Sequence, residues 1–242
     1  MSLRTRTGLF LASGSVLAGL LGWAFAGLPA FGHYHGVYGR ALDRVSLGQT
    51  HAMSTIASVT FDYRGFDTLG EEFILFASVL GVSLLLREMR ERDVDTKRLT
   101  ERFEPIRATG RIGVPVLFLL GLFVIAHGYL SPGGGFQGGV VVAAAIVLLA
   151  IAVDYRAYSG LAPKSAADLV EGVGAGGYVA IGLGGLVAGA TFLESFVPRG
   201  TIGELASSGT IALLSWSAGI EVAGATVVLA SEFFEELLAR RR

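Results

Sequence analysis

Six runs of apolar residues, at about 8–30, 68–86, 112–130, 136–153, 172–193 and 209–231, dominate the chain. Each is close to the roughly 20 residues that a helix needs to cross about 30 Å of hydrocarbon. Backbone donors and acceptors inside a bilayer must be satisfied within their own segment, so such runs have little choice but to be helices. Composition agrees: 52% of the 242 residues are hydrophobic and only 16% charged, against roughly 25% charged in soluble domains. The sequence predicts an all-α polytopic protein of the cell membrane with about six transmembrane helices. The first run follows Arg4 and Arg6 as a signal peptide would, but without a convincing small-residue cleavage site, and is read as an anchor.

The orientation follows from Lys and Arg, which concentrate in short cytoplasmic loops. With six spans, the N-terminus, the 87–111 loop, the 154–171 loop and the C-terminal tail share one side and hold fifteen of the 19 basic residues. Arg40, Arg44, Arg64 and Arg199 fall on the other. Removing either of the last two glycine-rich spans would carry Arg240, Arg241 and Arg242 to the depleted side. Both termini are expected in the cytoplasm.

Several classes of function are disfavoured. No cysteine is present and the formal net charge is -1, so thiolate metal sites have no ligands and nucleic acid has no electrostatic attraction. His33 and His35 lack the further ligands a metal centre needs. No nucleotide-binding loop or soluble catalytic domain is visible, so the chain is expected to be no enzyme and to hold no resident cofactor or metal.

The mixed-charge stretch from Arg87 to Arg107 divides the chain into a two-helix segment (1–90), a charged cytoplasmic linker (91–107) and a four-helix domain (108–236). The linker reads as a solvated helix, or as a docking arm for a neighbouring subunit. The outer 31–67 stretch is too long for a tight turn; around His51 it suits either an interfacial helix or a docking strand.

Candidate chemistry lies at three places. In TFDYRGFDTLGEEFILF, Asp67 suits a helix N-cap, and Glu71 and Glu72 stand at the head of an apolar run, where burial requires a cation, a proton or a partner. In the last span Glu221 lies near the middle, either facing an ion path or neutral and structural. Between the third and fourth runs stands GYLSPGGGFQGGV. Its Pro132, Gly133, Gly134, Gly135, Phe136, Gln137, Gly138 and Gly139 permit a tight reversal, or line an ion entrance or a subunit interface. His127 just before it is a satisfied structural histidine or a titratable imidazole beside the Gln137 amide.

Two of these motifs carry a resemblance. RGFDTLGE resembles the signature of the E-type segment of membrane-bound hydrogenases, also found at the C-terminal end of the large A-type subunit of Mrp-type Na+/H+ antiporters. PGGGFQGG, with His127 ahead of it, is similar to the signature of the antiporter's B-type (MnhB-like) subunit. Together the likenesses span about 1–90 and 108–236. Two departures stand out: the E-type segment is fused here to the B-type part, and Met53, Ser54 and Thr55 stand where the family usually carries an asparagine-valine pair. The resemblance implies a non-autonomous subunit, assembled with other membrane subunits in the bilayer, of a complex exchanging cytoplasmic Na+ for external H+. Within it, Glu71 is the first candidate ion carrier, with Glu72, Asp67, His127 and Glu221 behind it. The alternatives are the membrane arm of an energy-converting hydrogenase or related redox complex, and a purely structural assembly subunit.

Overall fold

The computed structural model describes residues 3–28, 36–86, 104–153 and 155–239. His33, His35 and most of the charged linker lie outside them. The described chain is helical, with no strand: α1 (Leu3–Ala26), α2 (Val37–Thr50), α3 (Thr55–Ser58), α4 (Gly65–Leu86), α5 (Glu104–His127), α6 (Gly135–Leu148), α7 (Tyr155–Leu161), α8 (Lys164–Val187) and α9 (Thr210–Ala239). π-Helical turns continue α3 over Val59–Tyr63 and α6 over Leu149–Val153. Among the described residues, six helices are long and apolar enough to cross a membrane, at Arg4–Ala26, Gly65–Leu86, Glu104–His127, Gly135–Val153, Lys164–Val187 and Thr210–Glu236.

The chain forms two compact units, Met1–Ala41 and Leu42–Arg242. In the first, α1 exposes Leu9, Phe10, Leu17 and Trp23, as expected of a helix whose solvent is lipid. In the second, α9 is the central element, packed by α8, α6, α4 and α5. Of the residues in its apolar stretch 72% are buried, against 11% in α4 and 17% in α5. That difference makes α9 the axis of the bundle and its polar residues the interior ones.

Apart from the non-helical link at 51–54, residues 37–63 are helical, so the outer stretch takes the helix and not the strand. Ser54 caps α3 by accepting from the Ala57 amide. His51 takes a positive φ of 58° and its Nδ1 lies 2.7 Å from the Gly200 carbonyl oxygen. Tyr129 donates to the Leu205 carbonyl, and Ser208 to that of His51. These bonds tie the end of α2 and the α5–α6 reversal to the 188–209 connection.

The third span begins at Glu104 rather than near 112, and two further boundaries differ from expectation for a common reason. The fifth span begins at Lys164 rather than near 172, and the last runs past 231 to Glu236. Hydropathy places Glu171 and Glu232 outside the apolar runs, yet both are buried inside helices, at 5% and 2% exposure.

Candidate functional site

The PGGGFQGG run has two physical roles. Pro132 to Gly134 make the reversal, with Gly133 and Gly134 at φ +139° and +158°, values that side chains beyond glycine rarely adopt. From Gly135 onward the run is helix α6, and its glycines are contact points. A Cβ on Gly138 would stand 2.7 Å from the Gly121 carbonyl oxygen of α5, and one on Gly139 2.6 Å from the Gly219 carbonyl oxygen of α9. Small residues at these spacings let backbones meet. Gln137 is exposed. His127 stacks on Phe123 at 3.9 Å and places Nδ1 3.0 Å from the Phe123 carbonyl oxygen, so its ring is engaged within its own helix, while its carbonyl accepts from Leu130 and Ser131 of the reversal.

Asp67 is not the N-cap of α4, because the helix starts at Gly65 and the Asp67 amide is already bonded to the Arg64 carbonyl. Its carboxylate pairs instead with the Arg64 guanidinium at 2.6 Å, both side chains being more than half exposed. The pair lies at the rim of a polar cavity of about 520 Å³, lined also by Asp62, Gly65, Thr191, Glu194 and Arg199. Burial pushes the Asp62 carboxyl above its ordinary range, opposed by Arg199 and reinforced by Glu194. Glu194 is held below the usual range by the hydrogen bonds it accepts from the Thr191 amide and hydroxyl. Tyr178 donates to the carbonyl of Gly65, one of the lining residues, at 3.0 Å.

One helical turn below that rim the two adjacent acids part company. Successive residues point about 100° apart on a helix; Glu71 is exposed, while Glu72 is 1% exposed and Glu221 of α9 is fully buried. The Glu72 and Glu221 side chains meet, and no donor among the described residues reaches any of their four carboxyl oxygens. Two carboxylates cannot both stay ionised in such a place without a cation between them. A shared proton or a bound cation is what this geometry can hold.

Gly174 of α8 lies against the Glu221 backbone, where a Cβ would collide. Three residues further, Gly224 lies against Glu171 in the same way, at 2.5 Å from its amide nitrogen to an ideal Cβ. Glu171 is the buried acid that hydropathy hides, together with Lys164 and Glu232, an ion pair with side chains 20% and 1% exposed. Two signals point to them. Lys164, Glu171 and Tyr178 recur every seven residues, and Glu221 and Glu232 are eleven apart, each spacing close to a whole number of turns.

A family profile described as "Domain related to MnhB subunit of Na+/H+ antiporter" matches residues 105–228. An uncharacterized protein of Methanocaldococcus jannaschii is 30% identical over 192 residues, 69% of this chain and 71% of that one. The B-type subunit of the Na(+)/H(+) antiporter of Bacillus subtilis is 35% identical over 80 residues, 32% of this chain and 54% of that one. Among solved structures, a chain of the membrane-bound sulfane sulfur reductase, an archaeal respiratory membrane complex, is similar with TM-score 0.70 and 28% identity, over 95% of this chain and 98% of that one. A chain of the Mrp complex from Dietzia sp. shares the fold, with TM-score 0.72 and 24% identity, over 100% of this chain and 27% of that one. The chain belongs to the family of the domain related to the MnhB subunit of Na+/H+ antiporters, and is a multi-pass membrane subunit of the Mrp-antiporter type.

Proposed function

We propose that this chain is the part of a multisubunit cation/proton antiporter in which one buried carboxyl pair, Glu72 with Glu221, alternately holds H+ and Na+. The carrying observation is that pair: two side chains at the centre of a membrane bundle, facing each other, without a donor. Proton loading leaves the pair neutral or singly charged, and a cation replaces the proton at similar electrostatic cost, so the two ions compete for one place. The polar cavity beneath Asp62 and Asp67 is the cation's aqueous approach. With both termini cytoplasmic, that cavity opens outside, and the complex exchanges cytoplasmic Na+ for external H+. The chain itself performs no redox or ATP chemistry. The front segment, 1–90, contributes α4 and its acids as the E-type module, and 108–236 contributes α9 as the B-type domain.

Exchange in membrane vesicles containing the assembled complex tests this. Glu72→Gln and Glu221→Gln are expected to assemble and to slow Na+/H+ exchange by roughly 100-fold, the scale of losing a positioned proton-transfer group. Exchange at the native rate by both assembled variants would sink the reading.

A second reading is favoured by the likeness to the sulfane sulfur reductase chain: the same carboxyl pair would serve the membrane arm of a redox-driven complex. Subunits carrying iron–sulfur or nickel ligands co-purifying with the chain would select it. A purely structural role is the third reading, and the same two variants separate it from both others.

A further inference from the structure

Below the Glu72–Glu221 pair the α8–α9 seam continues as a line of polar groups that the proposed exchange does not yet use. The two helices run antiparallel in a fixed register: Gly177 faces Ser217, Gly174 faces Glu221, and Gly224 faces Glu171. Glu171 is therefore about 4.5 Å along the axis from Glu221, at 1.5 Å per residue. It is 5% exposed, and its Oε1 has no hydrogen-bond partner among the described residues. Glu232 lies eight residues beyond Gly224, about 12 Å further, ion-paired with Lys164. Between them Tyr158 of α7 is buried, with its hydroxyl 2.6 Å from that of Ser231 and 3.4 Å from the Val227 carbonyl oxygen. Burial keeps the Tyr158 hydroxyl above its ordinary range, so it remains a proton-bearing group.

The seam is tight. A single methyl added to Gly174 or Gly224 would collide with the facing backbone, leaving no room there for a hydrated cation, and the cavity of about 280 Å³ that opens beside Gly224 is lined by apolar side chains that offer a cation no ligand. Protons need no such room, since they pass between carboxyl and hydroxyl groups within hydrogen-bond reach. The cavity at the opposite end, by contrast, is wide and polar.

We propose that the α8–α9 seam is a proton-only branch of the pathway, in which Glu171 passes protons between the Glu72–Glu221 pair and the end of the bundle where Lys164 and Glu232 set the local charge. This rests on the antiporter reading and assigns its two ions to different approaches. Among the described residues, the charged or titratable groups that act on the branch are Glu72 from α4, Tyr155 and Tyr158 from α7, Lys164, Asp168, Glu171 and Tyr178 from α8, and Glu221, Glu232 and Glu235 from α9. Lys164 is a positioning residue in this scheme: its positive charge offsets Glu232 and keeps the branch from gaining a further negative charge.

The test uses the assembled complex in vesicles and two readouts, Na+/H+ exchange and self-exchange of radiolabelled Na+, which requires no net proton movement. Glu171→Gln is expected to slow Na+/H+ exchange by roughly tenfold or more while leaving Na+ self-exchange close to native. Loss of both, or of neither, overturns the proton-only assignment. Glu72→Gln and Glu221→Gln are expected to lose both; if they retain both, it is the antiporter reading itself that fails. Should Glu171→Gln not assemble, Lys164→Met and Lys164→Arg decide. The Met variant is expected to move the acid limb of the exchange–pH profile upward by about one pH unit, as an added net negative charge favours proton uptake, and the Arg variant to leave it in place. An unmoved profile in Lys164→Met overturns the assignment.

Discussion

At the scale of single residues, the function turns on which of two neighbouring glutamates points inward. Sequence alone places Glu71 and Glu72 at the same helix head, and only the position of α9 distinguishes them: Glu72 meets Glu221, while Glu71 is exposed. We therefore expect Glu71→Gln to be milder than Glu72→Gln in vesicle exchange, with the Glu71 variant acting through the surface it presents to lipid or another subunit. The reverse order would return the role of first carrier to Glu71. Asp62 offers an independent check by pH. Burial raises its carboxyl above the ordinary range, so folding disfavours its ionised form. The cost is fully present above the folded value and vanishes as pH falls below the unfolded one. Asp62→Asn should accordingly unfold at a higher temperature than the native chain near neutrality, with the gap closing at acid pH. A variant less stable near neutrality would contradict the buried-acid account and leave Arg199 as the dominant influence.

At the scale of helices, glycine placement decides how close the seams come, and it separates two positions that look alike in GVGAGGYVAIGLGG. Gly174 lies against the Glu221 backbone, whereas Gly176 has nothing within 4 Å of an ideal Cβ. Gly174→Ala should destabilise the folded chain by about 1–3 kcal/mol, the usual cost of overpacking, and slow exchange by displacing Glu221. Gly176→Ala should be neutral or slightly stabilising, as alanine favours helix. Thermal unfolding in detergent reads both, and equal effects would show that the register is wrong. The glycine-rich helix was legible as a packing element, but the face it uses was not, because seven glycines spread between 172 and 185 mark no single stripe. All six membrane-spanning helices were legible, since twenty apolar residues leave the backbone one solution. Their ends were not. Glu171 and Glu232 lower the local hydropathy and so read as solvent-facing, whereas a facing glycine and a facing lysine admit them to the interior. The reversal at Pro132 and the helix that follows it from about 136 are both legible, but the roles of Gly138 and Gly139 as contact points are not, because they depend on which helices, α5 and α9, lie against them.

At the scale of the whole molecule, the charge asymmetry and the helix order make one claim about sidedness. The described connection after α8 and the outer helices α2 and α3 are joined by bonds from His51, Ser208 and Tyr129, so they share a side. Helix α7 lies at the other end of α8. If the basic residues of the N-terminus, the linker and the C-terminal tail are cytoplasmic, α7 is cytoplasmic and the polar cavity faces outward. The native chain has no cysteine, so single introduced thiols report without background. Ser159 on α7 and Glu204 in the 188–209 connection are both exposed, whereas Ser208 is 1% exposed with a positive φ of 70° and is unsuitable. In right-side-out vesicles an impermeant maleimide should label Glu204→Cys and spare Ser159→Cys, and in inverted vesicles the preference should reverse. Labelling of both from one side would break the six-span arrangement. Exchange of the two patterns would keep the spans but turn the molecule over, placing the cation's cavity in the cytoplasm and the proton seam outside, and the proposed direction of exchange would have to be rebuilt from that inverted frame.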